Sequence, residues 1–292
     1  MERLEVRTGD GRRLDVAHAG PPDGTPLLFH VGTPSAGLLY PPLVELGAER
    51  GLRHITYSRP GYGRSDRRPG RTVADCVEDV EAVLGELGVE RFLTVGWSGG
   101  GPHALACAAL LGERTIAAAT VAGVAPREAP GIDWLEGMGE ENIAEFRATE
   151  QGPDALEAYL RGQREGMLAA GASEIGAELG QLLSPVDGAA ATGEFAEYLA
   201  ALFHAGLETD VWGWFDDDVA FLGDWGFSLE AIERPVAIWQ GSEDRMVPYG
   251  HGGWLAANVA GARSRLLDGE GHLSILLGAY GGLLDDLAAL AD

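Results

Sequence analysis

Short apolar runs, separated by longer stretches with helical spacing, recur along most of the chain. The first two, residues 4–8 and 14–18, lie on either side of Gly9-Asp10-Gly11, which is typical of an antiparallel hairpin. Later runs of the same kind are expected to be buried parallel strands. They are residues 26–31, 52–57, 92–96 and 116–122, and strands are predicted to resume at residues 235–240 and 263–267.

The segments between these strands favour helices. Helical spacing of apolar residues is visible in residues 38–50, 73–87 and 99–111. In the second segment the apolar positions are Val73, Val77, Val80, Val83, Leu84 and Leu87. This alternation predicts an α/β fold with a mostly parallel central sheet and helices on both faces.

The pattern changes between residues 126 and 232. Stretches rich in alanine, glutamate and leucine, such as residues 154–170 and 194–205, predict helices with no strand between them. We interpret residues 126–232 as a helical cap inserted into a core domain made of residues 1–125 and 233–292. A final helix contains Leu283, Leu284, Leu287 and Leu290.

The charge balance is strongly acidic. The formal net charge is −24, and all 21 cationic side chains are arginine. A field of this sign repels phosphate backbones and anionic lipid surfaces, so neither nucleic acid nor membrane is expected as a partner. With 46% hydrophobic and 23% charged residues, the chain has the balance of a globular protein.

Cys76 and Cys107 are too few and too far apart to suggest a disulfide framework or a CxxC site. We expect both to be reduced and buried. The first seven residues lack a basic region followed by an apolar stretch, and no run approaches the length of a membrane span. A cytoplasmic location is therefore expected.

A candidate nucleophile lies in Gly96-Trp97-Ser98-Gly99-Gly100. This segment fits G-x-S-x-G at a point where a strand ends and a helix begins, and the motif has chemical meaning in that context. Small residues two positions either side of Ser98 allow a sharp turn. The amide of Gly99, at the positive end of the helix dipole, is a candidate donor to an oxyanion.

The chain resembles the α/β-hydrolase superfamily outside the predicted cap. His30-Val31-Gly32-Thr33-Pro34 resembles the family's oxyanion loop, with the histidine one place further from the glycine than usual. The resemblance implies that the amide of Thr33 joins that of Gly99 in an oxyanion hole. Residues 58–65 resemble an Arg-Gly-x-Gly-x-Ser loop of the family, to which we assign a structural role.

The same resemblance implies an acid and a base that follow the nucleophile in the order of the family. Residues 240–248 are similar to its acid loop, with Asp244 at the matching position, although spacing alone does not separate it from Glu243. His272 lies in a glycine-bracketed loop after the last strand. The implied triad is Ser98, Asp244 and His272.

Other candidate groups carry less information. His18, His54 and His204 lack a supporting motif, His103 is expected in the core, and His251 on a helix surface. No HExxH, CxxC or dinucleotide fingerprint is present, so neither a metal nor an organic cofactor is predicted.

Aromatic residues are concentrated in the predicted cap, where packing of the helices explains most of them. Trp97, beside the nucleophile, is the best candidate to line a substrate pocket. The run Asp216-Asp217-Asp218 is expected to be a solvated or helix-capping cluster.

The leading functional hypothesis is hydrolysis of a small or medium carboxylic ester through an acyl-enzyme intermediate. An aminopeptidase similar to proline iminopeptidase, a carbon–carbon bond hydrolase, a perhydrolase or a lyase on the same triad are alternatives. A hypothesis of another class is a ligand-binding receptor with little turnover. Acyl and alcohol preference and oligomeric state stay open, because cap side chains set the former.

Overall fold

One sheet organises the protein, whose computed structural model describes residues 1–291. The strands are β1 (Glu2–Arg7), β2 (Arg13–Ala19), β3 (Thr25–His30), β4 (Leu52–Tyr57), β5 (Phe92–Trp97), β6 (Thr115–Val121), β7 (Val236–Gly241) and β8 (Arg263–Leu267). Their spatial order is β1-β2-β4-β3-β5-β6-β7-β8.

The sheet is mostly parallel, as predicted. β1 and β2 form the expected antiparallel hairpin, and β2 also pairs antiparallel with β4. The remaining neighbours are parallel. The carboxyl ends of β3, β5, β7 and β8 therefore point to the same edge, where ligands of open parallel sheets bind.

Helices connect and cover the strands. They are α1 (Pro41–Ala48), α2 (Cys76–Glu86), α3 (Gly101–Leu110), α4 (Glu140–Gln151), α5 (Pro153–Ala169), α6 (Ile175–Glu178), α7 (Pro185–Ala190), α8 (Gly193–Leu207), α9 (Trp212–Leu222), α10 (Tyr249–Asn258) and α11 (Ser274–Ala291). Those that correspond to predicted helices differ by a few residues at the ends, where capping rather than periodicity decides the boundary.

Both faces of the sheet are covered by apolar layers, as the period of two in a strand requires. Leu27 of β3 packs in one cluster with Leu43 of α1 and Leu283 of α11. Its neighbour Leu28 points the other way, into a cluster with Val80 of α2. The continuous apolar runs in the sequence are explained by this double burial.

Helices α4–α9 all lie between β6 and β7, and residues 122–235 contribute no strand to the sheet. Leu199 and Phe203 of α8 join the apolar cluster that also contains Val95 and Trp97 of β5. These helices thus extend the core on the side of the sheet where β5 ends. The predicted core and cap boundaries, residues 126–232, remain a prediction.

The final helix departs from one sequence expectation. By length and composition α11 could cross a membrane, with 18 residues and a mean hydropathy of 1.3, whereas no run of that length was expected. In the structure it packs against the sheet, and Leu283, Leu284 and Leu287 are buried there. Burial in a protein core explains its apolar composition as well as a membrane would.

Candidate active site

Ser98 lies at a strained turn between β5 and the helical segment that follows it. Its φ is +56°, in the left-handed region that non-glycine residues rarely adopt. The turn is tight enough that a Cβ on Gly96 would collide with the carbonyl of Gly100. This geometry pushes the Ser98 side chain out at the carboxyl end of the sheet, as the motif predicts.

A mostly apolar cavity opens onto Ser98. Its empty volume is ≈ 840 Å³, including the solvent at its opening. Trp97, Ser98, Gly99 and His272 contribute to its wall from the sheet side. Helices α4–α9 supply much of the remaining wall, through side chains that include Phe146, Met167, Leu199, Phe203, Trp214 and Phe221.

His272 and Asp244 form a buried pair in the same place. Asp244 Oδ2 accepts a hydrogen bond from His272 Nδ1 at 2.9 Å. The other oxygen of Asp244 accepts from the amides of Met246 and Val247 at 2.9 and 2.8 Å. Glu243 is exposed, so the structure brings Asp244 rather than Glu243 to the histidine.

The electrostatics of His272 favour its charged form. Burial alone lowers the pKa of His272, but the charge and hydrogen bond of Asp244, with a smaller contribution from Asp187, raise that pKa above 6.5 overall. With Nδ1 bonded to Asp244, Nε2 has no protein partner in residues 1–291. It is thus the nitrogen available to take a proton.

Thr33 and Gly99 adjoin each other beside Ser98. A Cβ on Gly99 would lie 2.5 Å from Thr33 Oγ1, and one on Gly32 would lie 3.1 Å from Ser98 Cβ. The Thr33 amide donates to no acceptor in residues 1–291, and the Gly99 amide lies in the first turn of a helix, where N–H groups lack helical partners. The role of both amides in an oxyanion hole stays a prediction.

A buried arginine holds the loop that carries Thr33. Arg59 donates to the carbonyl oxygens of Val31 and Gly32 at 2.5 and 3.1 Å and to Thr33 Oγ1 at 2.9 Å. Asp217 of α9 accepts from Arg59 Nη2 at 2.6 Å and from Thr33 Oγ1 at 2.7 Å. The structural role assigned to residues 58–65 is thus visible in the hydrogen bonds by which Arg59 holds the loop that carries Thr33.

The expectation of a solvated aspartate cluster was wrong. Asp216, Asp217 and Asp218 are all buried. Asp217 pairs with Arg59 and Arg71, and although burial raises the pKa of Asp217, the two guanidinium groups lower it well below the usual range. Its arginine partners are more than 140 residues away in sequence, so local pattern did not reveal the pairing.

Asp187 of α7 is a functional candidate that sequence reasoning missed. Its carboxylate accepts hydrogen bonds from the backbone amides of His272, Leu273 and Ser274 at 2.9, 2.7 and 3.0 Å. It thereby fixes the loop that presents the histidine side chain. No motif marks it, although Ser184-Pro185, at the observed start of α7, is a pair of residues typical of a helix N-terminus.

Several remaining predictions are settled by burial. Cys76 and Cys107 are free and buried, and His103 is in the core, as expected. The prediction for His251 was wrong, because that side chain is buried and bonds to the Ala125 amide and Trp134 carbonyl. Within the described chain, no group of three or more His, Cys, Asp or Glu side chains is placed to hold a metal.

Trp97 lines the cavity as predicted, and its Nε1 donates to the His272 carbonyl at 3.2 Å. Among the aromatic residues of residues 126–232, Phe146, Phe203, Trp214 and Phe221 also line it. Trp134 and Trp225 instead pack in a core cluster. Some of the aromatic side chains in this segment therefore line the cavity, and others pack in the core.

Comparison with known proteins gives consistent results. A family model described as alpha/beta hydrolase fold matches residues 25–279. A non-heme chloroperoxidase of Streptomyces lividans is 29% identical over 250 residues, 84% of this chain and 83% of the relative. A bifunctional esterase/perhydrolase of Acinetobacter calcoaceticus is 26% identical over 259 residues, 87% of each protein.

Solved structures show the same fold. The crystal structure of an esterase from Rhodococcus sp. matches with a TM-score of 0.69 and 22% identity, covering 99% of this chain and 100% of that one. At this identity the likeness extends to the fold alone.

Proposed function

The chain belongs to the α/β-hydrolase fold family and is an enzyme of the hydrolase type found there, and from this premise we propose that it is a serine esterase. Its substrate would be a small or medium carboxylic ester, cleaved through an acyl-enzyme intermediate. The observation that carries the proposal is the buried His272–Asp244 pair, which lines one cavity with a strained Ser98.

In the first half of the reaction, Ser98 Oγ attacks the ester carbonyl carbon while His272 Nε2 takes the serine proton. The negative charge that develops on the carbonyl oxygen is stabilised by the amides of Thr33 and Gly99, and removing one such donor typically costs about 3 kcal/mol. His272 then gives the proton to the departing alcohol. Ser98 is left as an acyl ester.

In the second half, water attacks the acyl carbon and His272 takes a proton from that water. The carboxylic acid leaves, and Ser98 recovers its proton from His272. Asp244 keeps Nδ1 protonated and stabilises the imidazolium at both stages, because its carboxylate is fixed by two backbone amides. The apolar side chains of the cavity suit the hydrocarbon part of an acyl or alcohol group.

A second candidate, perhydrolysis, is favoured by the names of two relatives, the chloroperoxidase and the bifunctional esterase/perhydrolase. Here hydrogen peroxide replaces water as the group that attacks the acyl-enzyme, so the product is a peracid. The same three side chains serve both reactions. Measuring peracid formation from an ester and hydrogen peroxide distinguishes the two outcomes.

The test is turnover of p-nitrophenyl acetate and butanoate by wild type, Ser98→Ala and His272→Gln. We expect multiple turnovers for wild type and a loss of about 10⁴-fold or more in kcat for each variant. Equal rates for wild type and Ser98→Ala would refute the proposed nucleophile. A stoichiometric burst without further turnover would instead favour the ligand-binding alternative.

A further inference from the structure

Two carboxyl side chains that the esterase mechanism does not use lie in the wall of the active-site cavity. They are Glu145 of α4 and Asp218 of α9. Glu145 is 9% exposed and Asp218 is 1% exposed. Carboxylates so deeply buried are normally paired with a cation or fully hydrogen-bonded.

The pair lacks such compensation. Apart from the Glu145 carboxyl, neither oxygen of Asp218 has a hydrogen-bond partner in residues 1–291, and neither carboxyl is paired with a cationic side chain there. Glu145 Oε1 accepts one hydrogen bond, from Trp214 Nε1 at 2.8 Å. The neighbouring Glu145 carboxyl could donate to Asp218 only when it carries a proton.

The nearby cations are already engaged elsewhere. Arg59 and Arg71 both pair with Asp217, the residue before Asp218, and no arginine lines the cavity. The chain has no lysine that could take their place. No arginine in residues 1–291 is therefore free to pair with these two carboxyls, and a bound cation would fill that role.

The pKa values of Glu145 and Asp218 agree with the lack of a neighbouring cation. Burial raises the pKa of Glu145 to about 7, and burial together with the Glu145 charge raises the pKa of Asp218 well above its usual range. Both shifts show that a negative charge on the pair is unfavourable as long as no cation lies beside it. One charge in a cavity with mostly apolar walls attracts a single cation strongly.

The position of Asp218 relates it to the reacting centre. Phe221 lies three residues further along α9, on the same face, and its ring would lie 2.9 Å from a Cβ on Gly99. Asp218 is therefore about one helical turn, roughly 4.5 Å of rise, from the residue packed on the oxyanion side. Asp218 and Ser98 also line the same cavity, so one bound molecule can contact both.

We propose that Glu145 and Asp218 form a subsite for a protonated amine carried by the substrate. The ammonium group donates hydrogen bonds to the two carboxyls while the ester carbonyl lies against Ser98. This inference rests on the proposed esterase function for the position of the ester, but not for the binding of the amine. The subsite selects esters of amino acids or amino alcohols over their uncharged analogues.

The test compares p-nitrophenyl esters of ω-amino acids with isosteric methyl analogues, such as 6-aminohexanoate with heptanoate, over a series of chain lengths. For at least one length we expect wild type to favour the amino ester in kcat/KM. Asp218→Asn should lower kcat/KM for that amino ester by about tenfold or more, the worth of a charge-assisted hydrogen bond. The methyl ester should change by less than about threefold.

Glu145→Gln is a second variant, for which we expect the same loss of kcat/KM on the amino ester. With two variants, a folding defect in Asp218→Asn or in Glu145→Gln alone does not decide the outcome. Glu140→Gln is the matched control, because Glu140 begins the same helix and is exposed. That variant should keep the preference of wild type for the amino ester.

A binding measurement separates this proposal from the esterase proposal. Calorimetric titration with n-butylammonium should show binding to wild type that is weakened about tenfold or more in Asp218→Asn, and no comparable binding of n-butanol. If butylammonium binds in this way but no ester is cleaved, the esterase proposal fails and the subsite stands. If methyl esters are cleaved with no amine preference and butylammonium does not bind, the subsite is overturned.

Discussion

The carboxylate of Asp187 accepts a hydrogen bond from the backbone amide of His272 at 2.9 Å. Two further amides, of Leu273 and Ser274, donate to the same side chain. A residue of α7, within the helical segment between β6 and β7, thus fixes the loop that follows β8. His272 lies in the loop after β8, but a side chain from the helices between β6 and β7 fixes the position of that loop.

Replacing Asp187 should therefore affect both stability and chemistry. Asp187→Asn leaves one acceptor oxygen where three amides converge, and we expect unfolding to become easier by about 3 kcal/mol. We also expect kcat to fall by about tenfold or more with a smaller change in KM, because the histidine is misplaced. Urea denaturation and steady-state kinetics measure the two effects.

The pH profile separates positioning from a purely structural role. Since the Asp187 charge helps to raise the pKa of His272, the acid limb of kcat/KM should move to lower pH in Asp187→Asn. Ser184→Ala is the matched control, because it removes a 3.0 Å hydrogen bond to the carboxylate but leaves its charge. An unmoved acid limb in Asp187→Asn would contradict this role.

Asp244 should be essential and its neighbour dispensable. Asp244→Asn removes the carboxylate that holds His272 Nδ1 in its protonated form, and we expect kcat to fall by about 10³ to 10⁴. Glu243 is exposed, so Glu243→Gln should retain the activity of wild type. Comparable losses in both variants, measured on p-nitrophenyl butanoate, would show that the 2.9 Å contact is not the decisive one.

The third prediction concerns Arg59, which holds the loop that carries Thr33. Lysine lacks the planar fork that reaches Val31, Gly32, Thr33 and Asp217 together, so Arg59→Lys should destabilise the fold by about 3 kcal/mol. It should also lower kcat by about tenfold or more as the Thr33 amide moves. Arg67→Lys is the control, since Arg67 pairs with Asp216 at a partly exposed position. Equal effects of the two substitutions would count against a specific role for Arg59.

The carboxyl pair predicts how stability depends on pH. The pKa of Glu145 is raised from 4.5 to about 7 by burial, so its contribution to stability is fully present below the unfolded pKa and is lost as pH rises through about 7. The double variant Glu145→Gln, Asp218→Asn removes both titrating groups. Relative to it, wild type should lose stability between pH 4.5 and 7.

Urea titrations at several pH values measure this difference. Glu140→Gln, whose carboxyl is exposed, should follow wild type. A constant difference between wild type and the double variant across this range would contradict the buried, uncompensated state of the pair.

The sequence predicted the central strands because they are buried on both faces. The predicted strands at residues 52–57 and 263–267 match β4 and β8. Each is a short run between turn residues, and few structures other than a strand fit such a run. The nucleophile turn was predictable for a similar local reason. Gly96 and Gly100 meet the steric needs of the bend at Ser98 within five residues of chain.

What was not predictable depends on contacts distant in sequence. From the sequence alone, Asp217 is expected to be a surface charge, because only the fold brings Arg59 and Arg71 beside it. Asp187 has no local motif, because its partners are backbone amides of a loop 85 to 87 residues away. The residues next to a carboxylate in the sequence do not show which hydrogen-bond donors will surround it in the fold.

The most direct test of the central claim is to trap the acyl-enzyme and locate it. Wild type is mixed with a p-nitrophenyl ester, quenched in acid during turnover and analysed by intact mass and peptide mapping, with Ser98→Ala treated in parallel. We predict one acyl group per chain on the peptide that contains Ser98, and none on the variant. An acyl group on another residue, or equal labelling of both proteins, would contradict the assignment of Ser98 as nucleophile.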